Sequence, residues 1–231
     1  EISYFKDKEV ISTNGNSKIV NDENQEILAD KIEYNKLLNI INANGNVEIK
    51  DTEKDYALFG NEISYFKNEE KILTKGKTSA RIENIYEIFS ENLTFLLQRN
   101  ILKSENKTRI VKQNIQSINL DKFKLSLNEE QLIGENILFI NNFGLPKSDK
   151  FYFSSAIINL KNDSFIAKDT EITIHKEIFN NPKNDPRIKG VSATGNNQIR
   201  TLNKAIFTSC QINDDCPPWS LSAKSIEHDK Q

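Results

Sequence analysis

The chain has no methionine, two cysteines, two histidines and a single tryptophan among its 231 residues. It opens at Glu1 without a basic-plus-apolar leader, so a processed product, a piece of a longer chain or a cytosolic protein is expected. A membrane-crossing helix needs about 20 consecutive apolar residues. The best run, LLNIINA at 37–43, is interrupted by Asn39 and Asn42. An excess of positive charge is missing too. Lys+Arg 31 against Asp+Glu 33 leaves a net charge of −2, without the concentrated basic surface that nucleic acid demands, so no nucleic-acid partner is expected. His175 and His228 lie outside any nucleophile or metal motif, and no G-x-S-x-G, H-E-x-x-H or phosphate-cradling glycine loop occurs. Zinc wants four ligands, and beyond the two thiols only His228 is near in sequence. No enzyme activity, cofactor or metal is therefore expected.

What the chain does contain is a recurring layout. An aliphatic anchor stands at Ile2, Ile32, Ile63 and Leu93, in steps of 30, 31 and 30 residues. Two residues past each anchor is an aromatic: Tyr4, Tyr34, Tyr65 and Phe95. Nine past is an aliphatic: Ile11, Ile41, Ile72 and Leu102. Thirteen past is a turn residue: Gly15, Gly45, Gly76 and Asn106. Seventeen past is Ile19, Ile49, Ala80 and Ile110. A fixed period of this length marks stacked supersecondary units. The competing interpretation is a generic β-sandwich whose strand spacing is regular by coincidence.

Each unit reads as strands. Ile32 and Tyr34 alternate with Lys31, Glu33 and Asn35, and NVEIK at 46–50 alternates likewise, which puts apolar side chains on one face. Glycine, and next best asparagine, tolerates positive φ, so Asn106 is expected to keep the bend made by Gly15, Gly45 and Gly76. Helix punctuation is poor, so an all-β fold is expected. A fifth, degenerate unit carries alternating Phe123, Leu125 and Leu127, then Gly134 at a shortened interval, and closes with Ile137–Ile140. The chain is expected to be one domain, 1–231, with regular repeats over 1–140, degenerate strands and loops over 141–209 and a Cys/Trp segment over 210–231. Loops are expected at 141–151 and 179–190, with strands at Phe151–Phe153, Ala156–Leu160 and Glu171–His175 and an extended run from Val191 to Phe207. Open sheet edges at the ends of such an array are templates for strand addition.

Cys210 and Cys216, flanking Asp214 and Asp215, could close a local disulfide, though connectivity does not follow from spacing. Trp219, after two prolines, is expected to seal the end of the core. Asp51, Glu53 and Asp55 are the nearest approach to the acidic cluster of a polysaccharide-cleaving β-solenoid, and a solvated loop accounts for them better.

The segments ADKIEYN at 29–35, NANGNVEI at 42–49 and LFGNEISY at 58–65 resemble the OstA-type repeat of the lipopolysaccharide transport proteins (the OstA/LptA-like family). Phe207-Thr208-Ser209-Cys210, then Pro218-Trp219-Ser220-Leu221-Ser222-Ala223-Lys224 and His228-Asp229, resemble the tail of the periplasmic domain in the LptD-type members. The resemblance covers 1–140 and 207–229. It implies a β-jellyroll folded like a taco, whose apolar groove carries the acyl chains of lipopolysaccharide. It also implies a periplasmic place as the soluble part of an outer-membrane protein. The implied partners are an LptA-like bridge protein joined by strand addition, an outer-membrane barrel and its LptE-like plug lipoprotein. The family adds a second possibility for the cysteines, a bridge to the barrel. A free-standing LptA/LptC-like bridge protein and a polysaccharide-acting β-solenoid enzyme or adhesin are the alternatives.

Groove candidates are Ile2, Tyr4, Ile32, Tyr34, Ile41, Ile49, Ile63, Tyr65, Ile72, Leu93, Phe95, Leu102 and Ile110. Burying an acyl chain there would stabilise a complex by about 0.8 kcal/mol per methylene. The aromatic row Tyr4, Tyr34, Tyr65 and Phe95 suits lipid contact best, and a plain cross-strand stacking ladder explains it equally well. For any one of these residues, packing in an ordinary core is the simpler role.

Overall fold

The computed structural model describes residues 1–20, 25–51, 53–113, 115–145, 147–176, 181, 184–196, 198–212 and 219–229. Those residues form an all-β chain, relieved by short 3-10 turns at Lys6–Lys8, Lys67–Glu69 and Leu97–Arg99. None of their helical turns is long and apolar enough to cross a membrane. Where one domain was expected, packing divides the chain into two compact units, Glu1–Lys112 and Gln113–Gln231.

Unit one is made of long strands that bend halfway. Ile40–Asp51 pairs its first half with Lys31–Asn35 and its second half with Gln25–Ala29, all antiparallel. Its other side pairs along its length with Tyr56–Phe66, and the register slips between Asn44 and Val47. Lys71–Ile82 repeats the arrangement, dividing between Thr94–Leu96 and Tyr86–Glu91. The halves part at Gly45 and Gly76, both at φ +75°, a left-handed backbone that glycine adopts without penalty. Two layers result, and their inner faces meet where Phe95 of one approaches Tyr56 of the other edge-on, ring centroids 5.0 Å apart.

The hairpins between copies have a shared closure. Glu9, Asn39, Glu70 and Asn100, each seven residues past its anchor, adopt left-handed φ between 44° and 57°. Glu9, Glu70 and Asn100 donate their backbone N–H to the carbonyl three residues back, each at 3.2 Å. At the start of the unit, Ile2–Phe5 pairs with Val10–Thr13 and Ser17–Val20 with Gln25–Ala29. Neither strand has a partner on its other side among the described residues.

Unit two opens with the same scheme. Gln131–Asn141 pairs its first half with Lys122–Ser126 and its second with Gln116–Leu120. Asp149–Asn159, Ser164–Thr173, Arg187–Gly195, Ile199–Thr208 and Leu221–Asp229 follow as an antiparallel meander.

Several expectations are corrected. The fifth copy is regular: its bend is Asn136 at φ 50°, thirteen residues past Phe123. The Asn136 side-chain amide donates to Asp121 Oδ2 at 2.8 Å, which steadies the bend without a glycine. Gly134 is an ordinary strand position opposite Phe123, and Leu127 lies in a turn. Asn106 makes its bend without positive φ. Its own amide donates to the Glu91 carbonyl at 3.2 Å and its backbone N–H to Ser104 Oγ at 3.1 Å, so side-chain hydrogen bonds replace the backbone twist. Phe151–Phe153 and residues 156–159 belong to one strand, Asp149–Asn159, and Leu160 lies in the turn that follows. The strand's inward and outward positions change phase at Ser154–Ser155, which a period-2 reading takes for a strand end. Glu171–His175 mostly extends a strand that begins at Ser164. The run from Val191 to Phe207 is a hairpin turning between Gly195 and Ile199. The loop expected at 179–190 gives way to strand at Arg187, and residues 179, 180, 182 and 183 lie outside the described residues.

Candidate functional site

Cross-strand pairing in unit one assembles two facing rows. The first runs Tyr4, Ile11, Tyr34, Ile41, Tyr65, Ile72, Phe95, Leu102, each residue directly opposite the next. The second runs Ile19, Ile27, Ile49, Leu58, Ala80, Ile88, Ile110. Directly opposed side-chain pairs, aromatic with β-branched among them, are the unit of sheet stabilisation. Exposure falls along the first row. Tyr4 is 50% exposed, Tyr34 half-buried, Tyr65 buried and Phe95 only 1% exposed. One end of the rows is therefore sealed core and the other is open.

At the open end lies a cleft of about 250 Å³. Ile19, Val20 and Ile27 form one wall, and Tyr34, Ile41 and Tyr65 the other. Small-molecule pockets usually run from about 300 to 1,000 Å³ and are lined mostly by apolar groups, so this cleft suits part of a flexible chain better than a whole ligand. Two polar residues join the lining, Gln25 and Lys67. The Gln25 amide donates to Tyr56 Oη at 3.3 Å and to Asp51 Oδ2 at 3.4 Å. Lys67 Nζ sits 5.6 Å from the centroid of the Tyr34 ring, close enough for a cation–π contact. The Tyr34 hydroxyl donates to Asn39 Oδ1 at 2.8 Å. At the outer strand, the Tyr4 hydroxyl donates to Glu9 Oε2 at 2.8 Å, and that bond raises the Tyr4 phenol above its ordinary value.

Of the thirteen groove candidates, Tyr34, Ile41 and Tyr65 line the cleft. Ile2 and Tyr4 lie exposed on the first strand. Ile32, Ile49, Ile63, Ile72, Leu93, Phe95, Leu102 and Ile110 are buried and pack within the unit. Reading only the apolar rows missed Lys67. The lysines four past the anchors, Lys6, Lys36 and Lys67, were the signal that could have found it.

Unit two fills its interior differently. Phe139, Phe151, Phe153 and Phe165 follow one another with ring centroids 5.2–6.3 Å apart. The row through Leu125, Leu132, Ile158 and Phe165 continues to Gly195 and Arg200. Arg200 is 3% exposed, with its guanidinium 4.3 Å from the Phe151 ring centroid and 3.7 Å from Asp149 Oδ2. Burial pulls the guanidinium below its ordinary value, and the Asp149 carboxylate opposes that pull. The backbone N–H and Nδ1 of His175 lie 3.2 and 2.9 Å from Asp149 Oδ1. The cavity beside Arg200 holds about 30 Å³, room for about one water molecule.

The remaining singled-out residues line neither place. Asp51 is a buried strand end, correcting its reading as solvated loop: it accepts the backbone N–H groups of Glu53 and Lys54 at 3.0 and 2.9 Å and so shapes the following turn. Trp219 is 48% exposed and meets half-buried Phe207 edge-on at 5.7 Å, so it caps that side chain without entering the core. Cys210 is half-buried with its thiol 3.6 Å from the Trp219 carbonyl. Cys216, Asp214, Asp215 and Pro218 lie outside the described residues.

Fold and site together define an all-β chain with an apolar cleft at a sheet end. Compared with known proteins, the chain matches no family model and no curated protein.

Proposed function

We propose that unit one carries acyl chains, as a segment of a lipopolysaccharide export path of the OstA type, most like the periplasmic domain of LptD-type proteins. The observation that carries this reading is the cleft itself. Two apolar rows close on each other at Phe95 and stand apart at Tyr34, leaving about 250 Å³ between Ile27 and Ile41. Each methylene inserted there would contribute about 0.8 kcal/mol, with no directed chemistry required. The role is carriage and not catalysis, and it needs no cofactor. On this reading the finer fold is an OstA-type jellyroll of stacked copies, and the place is the periplasm.

The first strands support the partner half of the proposal. Ile2, Tyr4, Phe5 and Val20 are exposed apolar residues on strands paired on one side among the described residues. An added strand from an LptA-like bridge protein would cover them and satisfy their backbone groups. The outer-membrane barrel with its LptE-like plug lipoprotein is the proposed acceptor.

The test is site-specific photocrosslinking. A benzophenone amino acid replaces Tyr34 or Tyr65 in the cleft, or Phe89, exposed on the other face of unit one, and the protein is irradiated with lipopolysaccharide. Adducts at 34 and 65, with none at 89, are expected. Adducts confined to 89 would remove the proposal.

A further inference from the structure

Two neighbouring copies in unit one share a small arrangement but differ in charge. Lys36 Nζ lies 5.5 Å from the Tyr4 ring centroid and Lys67 Nζ 5.6 Å from that of Tyr34. Each ring's hydroxyl donates a hydrogen bond to the residue seven past its anchor, Glu9 in one copy and Asn39 in the next. Glu9 is a carboxylate and lies 3.5 Å from Lys36 Nζ, so that lysine is neutralised. Asn39 is neutral, and its amide donates to Asn68 Oδ1 at 2.7 Å. Lys67 has no carboxylate partner among the described residues, and it is the only charged residue among those lining the cleft.

We infer that Lys67 reads an anionic head group, so that the cleft selects acyl chains bearing a phosphate or carboxylate over neutral ones. The inference rests on the acyl-chain reading above and adds charge selection to it. The apolar walls attract any hydrocarbon and cannot tell one head from another. Lys67 is a half-buried residue, and an ammonium beside low-dielectric walls attracts an anion more strongly than one in bulk water. Lysine is also a competent point-charge partner for phosphate. The occupant is an anionic lipid, with its head at Lys67 and its chain along Ile27 and Ile41. One site is expected, because Glu9 already satisfies Lys36 and the equivalent position in the following copy is Leu97.

The test is calorimetric titration of the full chain with two pairs of matched chain, laurate against neutral monolaurin and dodecyl phosphate against neutral 1-O-dodecylglycerol. The anions should bind about fivefold more tightly at low salt, and the gap should shrink as salt rises. Lys67→Gln should close the gap and Lys67→Arg should keep it. Asn39→Glu supplies the carboxylate that Glu9 supplies one copy earlier, and should close the gap with Lys67 intact. Glutamate already adopts this left-handed backbone at Glu9 and Glu70, so the variant should fold, as circular dichroism would verify. Lys36→Gln should change nothing. Equal binding of anionic and neutral chains would overturn the inference and leave the acyl-chain reading standing. A gap surviving Lys67→Gln would also overturn it, as would inorganic phosphate competing as well as dodecyl phosphate. No binding of any chain would overturn both.

Discussion

Unit one keeps about 250 Å³ open between its layers, whereas the cavity beside the interior arginine of unit two holds about 30 Å³. Both units lay antiparallel rows face to face, so the layer plan does not account for the difference. Side-chain volume and charge do. In unit two, four phenylalanines stack in sequence and Arg200 occupies the end of the row, tied to Asp149. In unit one the row at the open end is built of isoleucine and tyrosine, and the tyrosines reach outward to Glu9 and Asn39 through their hydroxyls. A tyrosine anchored at its tip holds its ring at the rim, whereas a phenylalanine is free to fall inward. Within one row of unit one, Phe95 stands where half-buried Tyr34 stands two copies earlier and is almost wholly buried; Tyr65 between them is buried too, so distance from the open strand also counts.

The largest expected effect breaks the charged end of unit two. Asp149→Ala leaves Arg200 buried without its carboxylate and should cost about 3–5 kcal/mol. Hydrogen exchange should show unit two loosening while protection of Ile63 and Ile72 in unit one persists. Equal loosening of both would mean that the contrast does not follow the units. Next comes the row of unit one. Phe95→Ala should cost about 3–5 kcal/mol as a cavity in sealed core, whereas Tyr4→Ala, half-exposed on the outer strand, should cost less than about 1 kcal/mol. Similar losses in urea unfolding would erase the distinction between the two ends.

The bends give the smaller effects. Gly76→Val meets open space and should cost about 1–2 kcal/mol from left-handed backbone strain alone. Gly45→Val carries the same strain, and its Cβ would also collide with the Asp30 carboxylate and lie 2.9 Å from Asp30 Cβ. It should melt lower than Gly76→Val. The reverse order would show that the Asp30 contact yields at little cost.

The sequence made much of this legible because one backbone period governs it. The anchor, aromatic and aliphatic offsets coincide with cross-strand rows, since residues opposite each other in successive hairpins recur at the hairpin length. Bends were harder. Asn136 and Asn106 occupy the same offset, yet one twists its backbone and the other ties its side chain to Glu91. That choice depends on neighbours brought from other strands. The cleft was only partly legible. Tyr34, Ile41 and Tyr65 stood in rows with Phe95 and Ile72, and nothing along the chain separates the members that face an opening from those that meet a facing layer. Lys67 was invisible to an apolar reading because its setting differs from that of Lys36 only through Asn39 standing where Glu9 stands one copy earlier. Arg200 gave no signal, because an arginine in an alternating strand reads as an outward residue until its partner Asp149 is placed beside it.

The most direct measurement is methyl NMR of the isoleucine-labelled chain with a nitroxide-bearing acyl amphiphile. The account predicts strong broadening of Ile19, Ile27 and Ile41, with Ile158 and Ile172 of unit two left sharp. Broadening centred on Ile158 and Ile172, or spread evenly over exposed Ile166 and Ile199, would contradict it.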